Sequence, residues 1–215
     1  MENKQPQKIM NIPNVLSLVR MILVPVCIGA VLYAPKIFGG VDNLKLAVWL
    51  ICLLPVAVFA ITSLTDMLDG KIARKYGLIT DFGKFIDPLA DKFMVFGLLI
   101  AILSADVYAD IRPYFVWVTA VVMLRELGVT SLRLVVASRG VVVPASWWGK
   151  IKTVSQIFCL ILILLEPALL QHLTADIFVK GHLISWFAMA TMAVTTVGSG
   201  VDYLVALWPY VSGKK

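Results

Sequence analysis

Six apolar runs, separated by short polar stretches, fill most of this chain: roughly Val15 to Tyr33, Leu46 to Leu64, Phe93 to Leu103 with its N-terminal extension, Tyr114 to Val136, Val154 to Leu170, and Leu183 to Trp208. Crossing about 30 Å of hydrocarbon takes on the order of 20 helical residues. Runs of this length predict an all-α integral membrane protein with six transmembrane helices and a short juxtamembrane segment before the first. Charged residues make up 15% of the chain, against about 25% in soluble domains. The mean hydropathy of +0.91 agrees.

The first run follows a polar segment, contains Arg20 and lacks a small-residue cleavage site, so it is expected to remain as a helix rather than leave as a signal. Cys27, Cys52 and Cys159 lie singly in three runs with no CxxC spacing. They read as buried small hydrophobes. No linker, low-complexity tract or internal repeat is visible, and residues 1–215 read as one membrane domain.

Lysine and arginine divide unevenly between the two sides of a six-span topology. One side holds Lys4, Lys8, the five cations from Lys71 to Lys92, then Arg133, Arg139, Lys150, Lys152, Lys214 and Lys215. The other holds only Lys36, Lys45, Arg112 and Lys180. The positive-inside rule makes the first side cytoplasmic, both termini included. A net charge of +6 then reflects an inner face beside anionic headgroups and implies no nucleic acid. The opposite loops, APKIFGGVDN, SADVYADIRP and TADIFVKGH, carry turn formers and acids.

Between the second and third runs, on the cytoplasmic side, lies TDMLDGKIARKYGLITDFGKFIDPLADK. Asp66 and Asp69 are three residues apart and Asp87 and Asp91 four apart, so each pair shares a helix face. If the two helices are neighbours, four carboxylates converge beside a low-dielectric region, where cations must neutralise them. All four are hard oxygen donors without a nearby histidine, which selects Mg²⁺ or Mn²⁺. Two such ions about 4 Å apart can clamp the attacking and leaving oxygens at phosphorus. Gly70 opens the backbone to a ligand and Arg74 offers a fork for phosphate. The plainer alternative is a set of interfacial salt bridges with Lys71, Arg74, Lys84 and Lys92.

Asp66, Asp69, Gly70, Ala73, Arg74, Gly83, Asp87 and Asp91 fit DxxDGxxARx8GxxxDxxxD without a gap. This pattern resembles the signature of the CDP-alcohol phosphatidyltransferase family. The resemblance implies a six-helix membrane enzyme, a homodimer, that passes the phosphatidyl group of CDP-diacylglycerol to an alcohol and releases CMP. It implies that all four aspartates are metal ligands and that Asp91 is also the general base. It places Gly70, Ala73 and Arg74, with Thr80, at the CDP moiety. Spacing alone does not single out the base.

Residues outside the signature must choose the alcohol. Arg20, Arg125, Arg133, Arg139, Lys150 and Lys152 supply cations near the inner face, which suits a phosphorylated acceptor better than choline or ethanolamine. Arg133 and Arg139 also fit as lipid anchors, and Arg125 as a structural partner of Glu126 or Asp202. NIPNVLSLVR and WGKIKTVSQ are similar to segments of the family's bacterial phosphatidylglycerophosphate synthases, whose acceptor is glycerol 3-phosphate. That similarity puts Asn14 and Ser17 at the nucleotide. Inositol phosphate and phosphatidylglycerol stand as rival acceptors, and a cation transporter or a membrane scaffold as rival classes. Trp117, Trp147, Trp148 and Trp208 read as interfacial anchors rather than a ligand box.

Overall fold

The computed structural model describes residues 11–38, 40, 43–76, 80–140, 146–170 and 182–212, with side chains at all of these but 12–13, 44, 66–76, 81, 84, 170 and 211. Six long helices appear there: α1 (Ile12–Phe38), α2 (Leu44–Tyr76), α3 (Asp81–Ser104), α4 (Arg112–Ser138), α5 (Trp147–Leu170) and α6 (Leu183–Val211). A single 3₁₀ turn, Asp106–Tyr108, precedes α4, and no strand occurs among the described residues.

Five of these helices, α1, α2, α4, α5 and α6, are long and apolar enough to cross a membrane. Helix α3 has the length but is set apart by its charges, since Asp81, Lys84, Asp87, Asp91 and Lys92 occupy its first half. Its apolar remainder from Phe93 onward extends roughly 18 Å at 1.5 Å per residue. The outward faces are what lipid requires: Leu124 is 76% exposed and Trp117 72%.

Two compact units divide the chain, Met1–Val107 and Tyr108–Lys215. In the first, α1 packs along both α2 and α3. Buried Val24, Cys27, Val31 and Ala34 line α1, against Cys52 and Phe59 of α2 and Met94 and Leu98 of α3. Gly97 sets how closely α1 and α3 approach, since a Cβ there would lie 2.9 Å from Val24 Cγ1. The three cysteines are buried and form no disulfide among the described residues, and Cys27 Sγ donates to the Pro55 carbonyl at 3.7 Å. Pro55 lies inside the continuous α2, and proline is tolerated in membrane helices where neighbours satisfy the backbone.

In the second unit α6 packs along α4 and α5. Buried Phe115, Thr119, Val122, Val129 and Val136 recur at the four- and seven-residue intervals of a single helix seam. Val129 and Val136 meet Tyr203 and Leu207 of α6. Pro113 opens α4, where its missing N–H costs nothing, and Gly140 ends it at φ +78°.

The start of α6 is capped by another helix. Glu166 of α5, 2% exposed, accepts the Ile184 and Ser185 N–H groups at 3.0 and 3.2 Å, together with the Ser185 hydroxyl. His182, at the cap position in the left-handed region, makes no side-chain cap of its own. Its ring nitrogens lie 3.3 Å from Glu166 and 3.3 Å from Asp110.

Candidate active site

Thr80 starts α3: its backbone is extended and its Oγ1 accepts the Gly83 N–H at 3.0 Å. Asn14 of α1 reaches the same hydroxyl, its Nδ2 donating at 2.8 Å. Both side chains are buried. This crossing explains why glycine stands at position 83. A Cβ there would sit 2.7 Å from Asn14 Oδ1 and 3.2 Å from Thr80 Oγ1.

Two further rungs follow. Ser17 Oγ donates to Asp87 Oδ1 at 2.5 Å, and Arg20 Nη1 donates to Asp91 Oδ1 at 2.6 Å. The α1 positions advance by three and the α3 positions 83, 87 and 91 by four, in the same direction along both chains. Parallel helices with i+3 rows set against i+4 rows give this register. The third rung is asymmetric in burial: the Arg20 side chain is fully buried, whereas that of Asp91 is 53% exposed. A charge-assisted bond from a fixed guanidinium thus orients a carboxylate that solvent or a ligand can still reach.

Asp66, Asp69, Gly70, Ala73 and Arg74 fall on the last turns of α2. Their side chains lie outside the described residues. Among the described residues no group of three or more His, Cys, Asp or Glu side chains could hold a metal. The half of the signature that is described fits a hard divalent cation by donor chemistry. Asp87 and Asp91 offer carboxylate oxygens one helical turn apart, each oriented by a hydrogen bond from α1, as ligating carboxylates generally are.

Of the cations expected to suit a phosphorylated acceptor, Arg20 lies in the first unit and the other five in the second, which gathers three of them. Lys152, 3% exposed, donates to Glu126 Oε1, and Arg125 Nη1 donates to the same oxygen at 3.0 Å. Arg125 therefore pairs with Glu126, and Asp202 makes no ion pair among the described residues. Arg125 and Arg133 both face the Tyr203 ring, their guanidinium carbons 5.5 and 4.6 Å from its centroid. Arg133 Nη2 also donates to the Tyr203 hydroxyl. Arg139 and Lys150 stand apart from this group. The first is exposed and donates to the Tyr210 carbonyl, while the second lies over the Trp147 ring at 5.2 Å.

The aspartates and the cations stand out in the sequence, but the groups that hold them, Arg20 for Asp91 and Tyr203 for the two arginines, do not. A signal for Tyr203 was present in GSGVDY, where small residues clear space before an aromatic at the basic end of the last run.

A model of the CDP-alcohol phosphatidyltransferase family matches residues 10–198. The chain is 38% identical to a probable phosphatidylglycerophosphate synthase of Mycobacterium tuberculosis, over 92% of this chain and 81% of that protein. It is 38% identical to the CDP-diacylglycerol--glycerol-3-phosphate 3-phosphatidyltransferase of Bacillus subtilis, over 92% and 95% of the two chains. The protein of that name from Rickettsia felis is 34% identical, over 93% and 97%.

Proposed function

The chain belongs to the CDP-alcohol phosphatidyltransferase family, and we propose on that premise that it transfers the phosphatidyl group of CDP-diacylglycerol to glycerol 3-phosphate. The products are phosphatidylglycerophosphate and CMP. A hydroxyl oxygen of glycerol 3-phosphate attacks the phosphatidyl phosphorus, the bond from that phosphorus to the bridging oxygen breaks, and CMP departs with the bond's electrons. The hydroxyl proton passes to a carboxylate.

The observation that carries this reading is the third rung. Arg20 holds Asp91 by a 2.6 Å charge-assisted bond yet leaves it half exposed, as suits a general base that must stay ionised and reachable. Asp66, Asp69, Asp87 and Asp91 are the residues that would hold Mg²⁺ or Mn²⁺. Such ions, when bound, neutralise the pyrophosphate and the developing charge on CMP. Gly70, Ala73, Arg74 and Thr80 form the CDP end of the site in this reading. Asn14 and Ser17, both buried, act on the donor through Thr80 and Asp87, whose positions they fix.

Arg125, Arg133 and Lys152 are assigned to the acceptor phosphate. The exposed Arg139 and Lys150 have a lesser share. With α3 as a sixth span whose charged end lies in the interface, the sorting of Lys and Arg supports a cell-membrane protein with its site and both termini on the cytoplasmic side. A homodimer is the expected assembly.

Purified protein in lipid nanodiscs, given labelled CDP-diacylglycerol and one acceptor at a time, tests the assignment. CMP and labelled phosphatidylglycerophosphate are expected with glycerol 3-phosphate and a divalent cation. Release with inositol phosphate but not glycerol 3-phosphate would overturn the acceptor. No release with any acceptor would overturn the reaction.

A further inference from the structure

Of three neighbouring cations of the second unit, Arg125 and Lys152 pair with one carboxylate, Glu126, while Arg133 meets the Tyr203 hydroxyl and has no ion pair among the described residues. Such a surplus in a low-dielectric setting needs both an anion and something that keeps the cations from swinging apart. The surplus is two, and a phosphate monoester carries about that much negative charge at neutral pH. Buried donors point the same way, since Arg125 Nε and Arg133 Nε have no hydrogen-bond partner among the described residues.

We propose that Tyr203 is the positioning residue of this cation group, fixing Arg125 and Arg133 for the acceptor phosphate; the inference rests on the acceptor assignment above. The ring lies within cation–π range of both guanidiniums, at 5.5 and 4.6 Å. The hydroxyl oxygen accepts twice, from Arg133 Nη2 and from the Ser146 N–H at 3.0 Å. A phenol that accepts two bonds still has its own proton to donate. Tyr203 therefore joins three segments: α4 through the arginines, α6 through its own backbone, and the start of α5 through Ser146.

Two glycines make room for this arrangement. A Cβ on Gly149 would come 3.1 Å from Tyr203 Oη, and one on Gly200 would come 3.3 Å from Arg125 Cγ. Neither glycine has a positive φ. Space rather than backbone conformation accounts for both.

The test compares Tyr203→Phe, Tyr203→Leu and Lys152→Ala in the nanodisc assay, with KM measured separately for each substrate. Tyr203→Phe keeps the ring and removes both bonds that the hydroxyl accepts, the charged one from Arg133 and the one from the Ser146 N–H, so KM for glycerol 3-phosphate is expected to rise about tenfold. Both kcat and KM for CDP-diacylglycerol should stay within about twofold, since the change is confined to the acceptor cations. Tyr203→Leu removes the ring as well and should raise the same KM further. Equal changes in both KM values, or none with Tyr203→Phe, would overturn the proposal. If Lys152→Ala raises the acceptor KM while Tyr203→Phe does not, the positioning role alone fails. If neither variant moves it, the acceptor assignment fails with it.

Discussion

At the scale of single residues, the aspartates differ in what supports them. Asp87 accepts from a serine and Asp91 from a buried arginine, so among the described residues only the second has a fixed charge opposite it. Asp91→Asn should lower turnover by at least about 10²-fold, the usual minimum for losing a general base. Binding of CDP-diacylglycerol should persist, measured by equilibrium dialysis with labelled donor; near-normal turnover would remove Asp91 from the base role. Gly83→Ala acts through space: its Cβ would lie 2.7 Å from Asn14 Oδ1, and relief requires the Asn14–Thr80 bond to shift. A rise in KM for the donor is expected, with the acceptor KM little changed. The aspartates and Gly83 stand out in the linear pattern. Arg20 as the partner of Asp91 does not, because 71 residues separate them and only packing of α1 on α3 brings them together.

At the scale of helices, length and composition mark five spans directly, and α3 is set apart by the charged residues in its first half. The same helix carries an apolar half from Phe93 onward and carboxylates in the half before it. The cap on α6 is a second case that local sequence does not reveal. Unsatisfied N–H groups at a helix start normally find a Ser, Thr, Asp or Asn in the preceding position. Here the preceding residue is His182, and Glu166 from α5 supplies the acceptor oxygens. Glu166→Ala should lower the apparent Tm of the detergent-solubilised protein, corresponding to about 1–3 kcal/mol for stranded donors. Glu166→Gln, which keeps one acceptor oxygen, should recover part of the loss. An unchanged Tm in both would show that solvent replaces the cap at no cost.

At the scale of the whole molecule, the proposed orientation rests on where Lys and Arg sit, and labelling tests it. All three native cysteines are buried, which gives a low background for an added thiol. Ser138→Cys, after α4, should react with a membrane-impermeant maleimide only in inside-out vesicles. Ala109→Cys, before α4, should react only in intact cells. The reverse pattern would place the aspartates on the outer face and defeat the proposed topology, since the soluble acceptor would then be on the wrong side.

Membrane residence, the uneven division of charge between the loops and the reaction signature were all legible in the chain alone. Each depends on quantities that accumulate along one dimension: hydrophobic transfer summed over a run, charges counted loop by loop, and carboxylates spaced by the helical turn. The tertiary structure decided which partner each charged group keeps. Arg20 with Asp91, Lys152 with Glu126 and Tyr203 between two arginines are pairings across 26 to 78 positions. They exist because helix packing fixes which faces meet, and in a low-dielectric interior a charge must find its partner on whichever face that is.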